Sequence, residues 1–244
     1  MMPNLHFDHW PKISKSLKLP DTSLYENLKV SAARYPDQSA ISYYGNEISY
    51  RELDREVNDL AGFLQQKLGV AKGERVLLFM QNSPQFVLGF YAILRADAVV
   101  VPINPMLTAD ELSFYIKDCG IISALVGKEL YDKVEPLVGT TPLNNVVVAA
   151  YSDYKGNEFN GIVPPEVEAA RKVYEQPGHF HWKEAIASQY EPGAHTTQAD
   201  DLVVLPYTSG TTGLQKAVCI RTALFRRIQS ARITGRALPL VPFI

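Results

Sequence analysis

From Thr208 to Lys216 the sequence reads Thr-Ser-Gly-Thr-Thr-Gly-Leu-Gln-Lys, with four hydroxyl side chains and two glycines in six residues, then a lysine three positions later. Glycines let backbone N–H groups converge on one point, hydroxyls donate further hydrogen bonds, and lysine adds charge without fixed geometry. Such a set suits an anion with several oxygens, and phosphate fits it best. The plain alternative for a Ser/Thr/Gly cluster is a solvated surface turn. It is disfavoured because Leu202 to Tyr207 feeds the loop as a buried strand and Lys216 closes it. A Walker A loop needs Gly-Lys followed by Ser or Thr, whereas Lys216 stands apart from Gly213 and precedes Ala217. Ser209 is also a poor hydrolase nucleophile, since no Gly-x-Ser-x-Gly elbow surrounds it and no histidine follows it.

The elements that must position this loop are legible upstream. Ser23 and Glu26 have capping-box spacing, and Leu24, Leu28 and Ala32 predict a helix that Pro36 stops. Ala40 to Tyr44 and Glu47 to Tyr50 predict a hairpin turning at Gly45-Asn46. Ser49 and Glu52 start a second helix with Leu53, Val57, Leu60, Ala61, Leu64 and Leu68 on one face, ending at Gly69. Arg75 to Met80, Ala98 to Ile103, Ile121 to Val126 and Asn145 to Ala150 read as buried strands. Between them, Ser83-Pro84 opens a helix packed through Phe86, Val87, Phe90 and Leu94, and Thr108 with Glu111 caps another that stops near Gly120. Strands alternating with helices imply right-handed crossovers, so the expected fold is α/β, a mainly parallel sheet with helices on both faces. Tyr151 to Ala199, rich in Pro, Gly, Glu and Gln, is expected to be peripheral, with helices from Pro164-Pro165 through Tyr174 and from Trp182 to Ser188.

Composition excludes other classes. A chain of 244 residues with 46% hydrophobic and 20% charged residues folds rather than staying disordered. A net charge of −2 gives no footprint for nucleic acid. The apolar stretch Phe86 to Leu94 is too short to span a bilayer, and the N-terminus has no signal-peptide core. Cys119 and Cys219 lack metal-ligand spacing, so the default setting is reducing and cytoplasmic. His179, His181 and His195 are expected on the surface rather than on a metal, and Asp54, Glu56 and Asp59 on the solvated side of their helix. Lys12, Lys15 and Lys18 are read as solvated.

Tyr207 to Lys216 resembles the phosphate loop of the AMP-binding superfamily of acyl-CoA synthetases, luciferases and peptide-synthetase adenylation domains, Tyr-Thr-Ser-Gly-Thr-Thr-Gly-x-Pro-Lys. Ile48 to Ala61 is similar to the family's early helix motif, and Gly73 to Pro105 to its next block, in the same order. The resemblance implies an acyl-CoA synthetase-like fold and ATP, Mg2+ and coenzyme A as reaction partners. Thr208, Ser209, Gly210, Thr211, Thr212, Gly213 and Lys216 would hold the β- and γ-phosphates of ATP while a carboxylate, by preference a fatty acid, attacks the α-phosphorus. Aryl acids stay open as substrates. No catalytic residue and no metal ligand is assigned, and oligomeric state is left open.

The match has departures. Gln215 replaces the usual proline, Ala217 a common glycine, and the histidine expected a few residues later is absent from Val218 to Leu224. From Leu202 to Ile244 there is no Asp or Glu, while five of the chain's eleven arginines fall there. The expected organisation is therefore a partial AMP-binding N-terminal domain over 1–216, an atypical basic tail over 217–244 that reads as frameshifted or misjoined, and no C-terminal domain. Such a piece is expected to be inactive alone, to leave a sheet edge bare after the loop strand, and to be poorly soluble. The alternative is a non-catalytic nucleotide- or phosphate-binding or interaction module that retains the loop.

Overall fold

The computed structural model describes residues 22–208 and 216–221. Its first layer is helical. In α1 (Leu24–Arg34) Ser23 Oγ accepts from Glu26 N–H, and in α2 (Tyr50–Gln66) Ser49 and Glu52 form both halves of a capping box. Each cap satisfies N–H groups that a helix start leaves without partners. Between these helices, β1 (Ser39–Tyr43) and β2 (Asn46–Ser49) pair antiparallel. The turn is one residue earlier than expected. Tyr44 and Gly45 take positive φ of 42° and 78°, and Asn46 pairs with Tyr43. Edge contacts from Tyr43 and Phe159 hold the Tyr44 ring, and this packing outweighs the preference for Asn at a left-handed position.

The centre is a seven-stranded sheet. Its strands are β3 (Arg75–Phe79), β4 (Val99–Pro102), β5 (Ser123–Gly127), β6 (Asn145–Ala149), β7 (His179–His181), β8 (Leu202–Val204) and β11 (Ile220–Arg221), in spatial order β11-β8-β4-β3-β5-β6-β7. All neighbours are parallel except β11, which runs antiparallel to β8. The α/β fold class is as the sequence implies. Side chains alternate between two cores. Val76, Leu78, Val100 and Leu125 face the one beneath α2 and α3 (Pro84–Arg95), whereas Leu77, Phe79, Val99 and Val101 face the one beneath α4 (Ala109–Cys119) and α5 (Tyr131–Val134).

Four further expectations are corrected. The buried residues of α3 are Pro84, Gln85, Leu88, Gly89, Ala92, Ile93 and Leu94, so of the expected face Leu94 is buried, whereas Phe86, Val87 and Phe90 are only partly buried against the same core. This helix is apolar nearly all round, so periodicity alone could not choose its inner face. Residues 151–199 are peripheral only in part: β7 completes the sheet, and Trp182, at the start of α7 (Trp182–Ala187), is only 1% exposed. The helix from Pro165 is four residues long, α6 (Pro165–Glu168), rather than reaching Tyr174. Nor is the outer edge of β8 bare, because Ile220 and Arg221 pair with Val204 and Leu202.

Candidate functional site

The loop connections around β3 and β4 create the setting. α3, which follows β3, covers one face of the sheet, and α4, which follows β4, covers the other. The segments leaving the carboxyl ends of these strands therefore diverge, and open α/β sheets bind ligands in such a crevice. β8 lies parallel beside β4, so its carboxyl end points to the same edge. The candidate phosphate loop leaves from there.

After β8, Leu205 N–H donates to Val100 O at 2.8 Å, which keeps the chain on β4 for one more residue. The chain then enters β9 (Tyr207–Thr208), which pairs antiparallel with β10 (Lys216–Ala217). Thr208 stands opposite Lys216, and Tyr207 opposite Ala217. The first and last members of the predicted phosphate set are thus cross-strand neighbours, a placement that spacing alone did not reveal. Ser209, Gly210, Thr211, Thr212 and Gly213 lie outside the described residues.

Tyr207 anchors the hairpin. Its ring meets the edge of Tyr115 at 4.3 Å between centroids, its hydroxyl donates to Asp118, and Cys119 Sγ lies 2.9 Å from the same oxygen. Burial, with the bonds to Asp118 and Cys119, pushes the Tyr207 phenol far above its usual range, so it remains a donor at any physiological pH. Val218 N–H donates to Pro206 O at 2.9 Å and fixes the other side. The C-terminal end of α4 thereby holds the loop's base.

A second device holds the approach to β8. Asp97, at φ 60°, receives Thr196 N–H at 2.9 Å and Thr196 Oγ1–H at 2.8 Å on one oxygen. Its other oxygen receives Thr197 N–H at 3.0 Å and Thr197 Oγ1–H at 2.7 Å. Burial works against the Asp97 charge, but these bonds and the nearby His195 outweigh it and hold the carboxyl below its ordinary range. Arg95 and Lys72 add bonds to Gly193 O and Thr196 O, so this stretch is tied to the α2–α3 side before β8 begins. Asp97 is the only acid between Phe86 and Pro102, and a lone acid in an apolar run was the available signal.

The expected surface position of His195 is overturned. Its side chain is 11% exposed, with Nδ1 2.6 Å from Asp97 Oδ1 and Nε2 2.6 Å from Ser23 Oγ. Burial disfavours the imidazolium more than Asp97 favours it, so His195 titrates below its usual range and is neutral at pH 7. Ser23, Asp97 and His195 are the residue types of a charge relay. Yet Ser23 is buried and its oxygen caps α1, so the cluster works as a structural tie. His179 and His181 sit on β7, where His179 meets Tyr131 and His181 meets Tyr174, and do not join His195. No group of three His, Cys, Asp or Glu able to hold a metal occurs among the described residues.

Asp54, Glu56 and Asp59 of α2 are also drawn inward rather than fully solvated. Glu56 accepts from Tyr154 Oη, Asp54 accepts from Tyr25 Oη at 3.2 Å, and Asp59 is buried enough to raise its pKa. On the carboxyl edge of the sheet, Tyr151 Oη donates to Glu129 Oε1 and accepts from Gln81 N–H, each at 2.7 Å. Burial, partly offset by the Tyr151 bond, raises the Glu129 pKa. This pair fixes the segment that leaves β3 toward the crevice.

Comparison with known proteins accords with this arrangement. The AMP-binding enzyme family matches residues 28–232. A long-chain-fatty-acid–CoA ligase of Bacillus subtilis is 29% identical over 213 residues, 85% of this chain and 38% of the relative. The corresponding ligase of Salmonella typhimurium is 31% identical over 203 residues, 81% of this chain and 36% of the relative. The crystal structure of a long-chain-fatty-acid–CoA ligase from Archaeoglobus fulgidus superposes with a TM-score of 0.68 at 25% identity, covering 91% of this chain and 41% of that one. The chain therefore spans well under half the length of these relatives.

Proposed function

Because the chain belongs to the AMP-binding enzyme family, we propose that it supplies the ATP phosphate-binding part of an acyl-activating enzyme whose reaction makes an acyl-CoA. In that reaction a carboxylate oxygen attacks the α-phosphorus of ATP, the bond to the bridging oxygen breaks, and acyl-AMP and pyrophosphate result. The thiol of coenzyme A then displaces AMP to give the thioester. Negative charge moves onto the departing pyrophosphate in the first step, and fixed donors around its oxygens lower the barrier there. Thr208, Ser209, Gly210, Thr211, Thr212, Gly213 and Lys216 are the residues we assign to that task.

The observation that carries the reading is the pairing of Thr208 with Lys216 at the carboxyl edge of the parallel sheet. It brings the two ends of the 208–216 segment together at the edge where such sheets bind ligands. A fatty acid is the proposed acyl substrate, in line with the named activity of the relatives from Bacillus subtilis and Salmonella typhimurium. Mg2+ would arrive with ATP, and no step is assigned to it. Adenine, ribose and acyl recognition are not assigned to residues of this chain, which by itself is proposed to hold phosphates without completing thioester synthesis. A cytoplasmic setting suits the two free cysteines, and no helix among the described residues is long and apolar enough to cross a membrane.

Calorimetric titration with pyrophosphate tests the assignment. A charged hydrogen bond is worth about 1.5–3 kcal/mol, so Lys216→Ala should weaken binding by roughly 10- to 150-fold. Equal affinity of the variant and the parent chain would remove the loop from the proposal. Fatty-acid-dependent exchange of labelled pyrophosphate into ATP, measured on an enzyme carrying this region, separates the catalytic reading from a non-catalytic nucleotide-binding module.

A further inference from the structure

A cleft lies at the carboxyl ends of β5, β6 and β7, on the half of the sheet away from the phosphate loop. Lys128 directly follows β5, His181 ends β7, and Arg171, Lys172 and Lys183 complete its basic lining. Asp153 is the only carboxylate in that lining, in a chain with a net charge of −2. It is already committed to Arg171 Nε at 2.5 Å. Glu129, next to Lys128, is bonded to Tyr151 instead.

Lys128, Lys172 and Lys183 have no ion-pair partner among the described residues. Two of them are oriented by aromatic faces. Lys183 Nζ lies 4.9 Å from the centre of the Tyr154 ring, and Lys172 Nζ lies 5.7 Å from that of Tyr174. A ring face directs an ammonium group while leaving its N–H donors available. The cations come from separate segments, the end of β5, the irregular stretch before β7 and the start of α7, and line the same cleft from several sides. That suits a tetrahedral anion better than a planar carboxylate.

The enclosed space is about 10 Å³, enough for one water-sized group. A phosphate oxygen can enter, while a base or an acyl chain cannot. We propose that this cleft is a second anion site, independent of the 208–216 loop, that takes a dianionic phosphate group. The group would be either inorganic phosphate or the phosphomonoester end of a larger ligand.

Amide-resolved NMR titration of the whole chain at pH 8 tests this, with inorganic phosphate in one arm and glycerol 3-phosphate in the other. Saturable shifts are expected at Lys128, His181 and Lys183, weakened at least tenfold by the double substitution Lys128→Gln and Lys183→Gln. Both side chains reach solvent, so the fold should survive, as an unchanged melting curve would verify. Lys216→Ala should leave the cleft shifts intact even where it abolishes binding at the loop, which separates this site from the proposed ATP site. Tighter binding in one arm identifies the source of the phosphate group. Absence of saturable shifts in both arms, equal affinity in the double variant, or loss of the cleft shifts in Lys216→Ala would each overturn the proposal.

Discussion

Replacing Asp97 with Asn isolates the tie that brings the chain back to β8. The backbone at φ 60° is no obstacle, because Asn tolerates the left-handed region as well as Asp does. What changes is the acceptor set. Asp97 Oδ2 receives Thr196 N–H and the Thr196 hydroxyl, and Oδ1 receives Thr197 N–H and the Thr197 hydroxyl together with a longer branch from Thr196 N–H at 3.1 Å. An amide NH2 in place of either oxygen can no longer accept, so the backbone N–H bond to that atom is lost and the hydroxyl bond must reverse. The hydroxyl can rotate and accept, but the backbone N–H cannot reverse, leaving a donor facing a donor at a residue that is 7% exposed. An orphaned buried donor costs about 1–3 kcal/mol, and loss of charge on the two remaining bonds adds roughly 1 kcal/mol each. The expected destabilisation is about 3–5 kcal/mol, equivalent to roughly 6–20 °C in Tm for a chain of this size. Urea unfolding at pH 7, followed by circular dichroism, should show a lower midpoint at constant slope. The advantage of Asp97 should be fully present above the unfolded carboxyl's pKa near 3.8 and be lost as pH falls through the lower folded value. A change below about 0.5 kcal/mol at pH 7 would refute the view that these bonds hold the segment.

Two further outcomes follow from neighbouring observations. His195 has a depressed pKa, so below about pH 6.5 the unfolded chain takes up a proton that the folded chain resists; stability should fall as pH falls there, and His195→Gln should flatten the slope in urea midpoints below about pH 6.5. Trp182 is 1% exposed and donates to Tyr154 Oη at 3.2 Å, so Trp182→Ala should cost about 3–5 kcal/mol; a loss under about 1 kcal/mol by the same measurement would return residues 151–199 to the periphery.

The helix starts at Ser23, Ser49, Ser83 and Thr108, and the stop at Gly120, were legible because a cap depends on residues within one turn of each other. The strand runs were legible for a similar reason, since burial on both faces demands continuous apolar sequence. The loop chemistry, with its hydroxyls, glycines and lysine, was likewise written in adjacent residues. These features define an α/β chain carrying a phosphate-type loop. Tertiary structure decided which side of the largely apolar α3 faces inward and that Trp182 belongs to the core. It also decided that Asp97 holds Thr196 and Thr197, 99 and 100 residues away, and that Thr208 faces Lys216. Each of these depends on which distant surfaces meet, and local periodicity carries no record of partners brought together only when the sheet assembles.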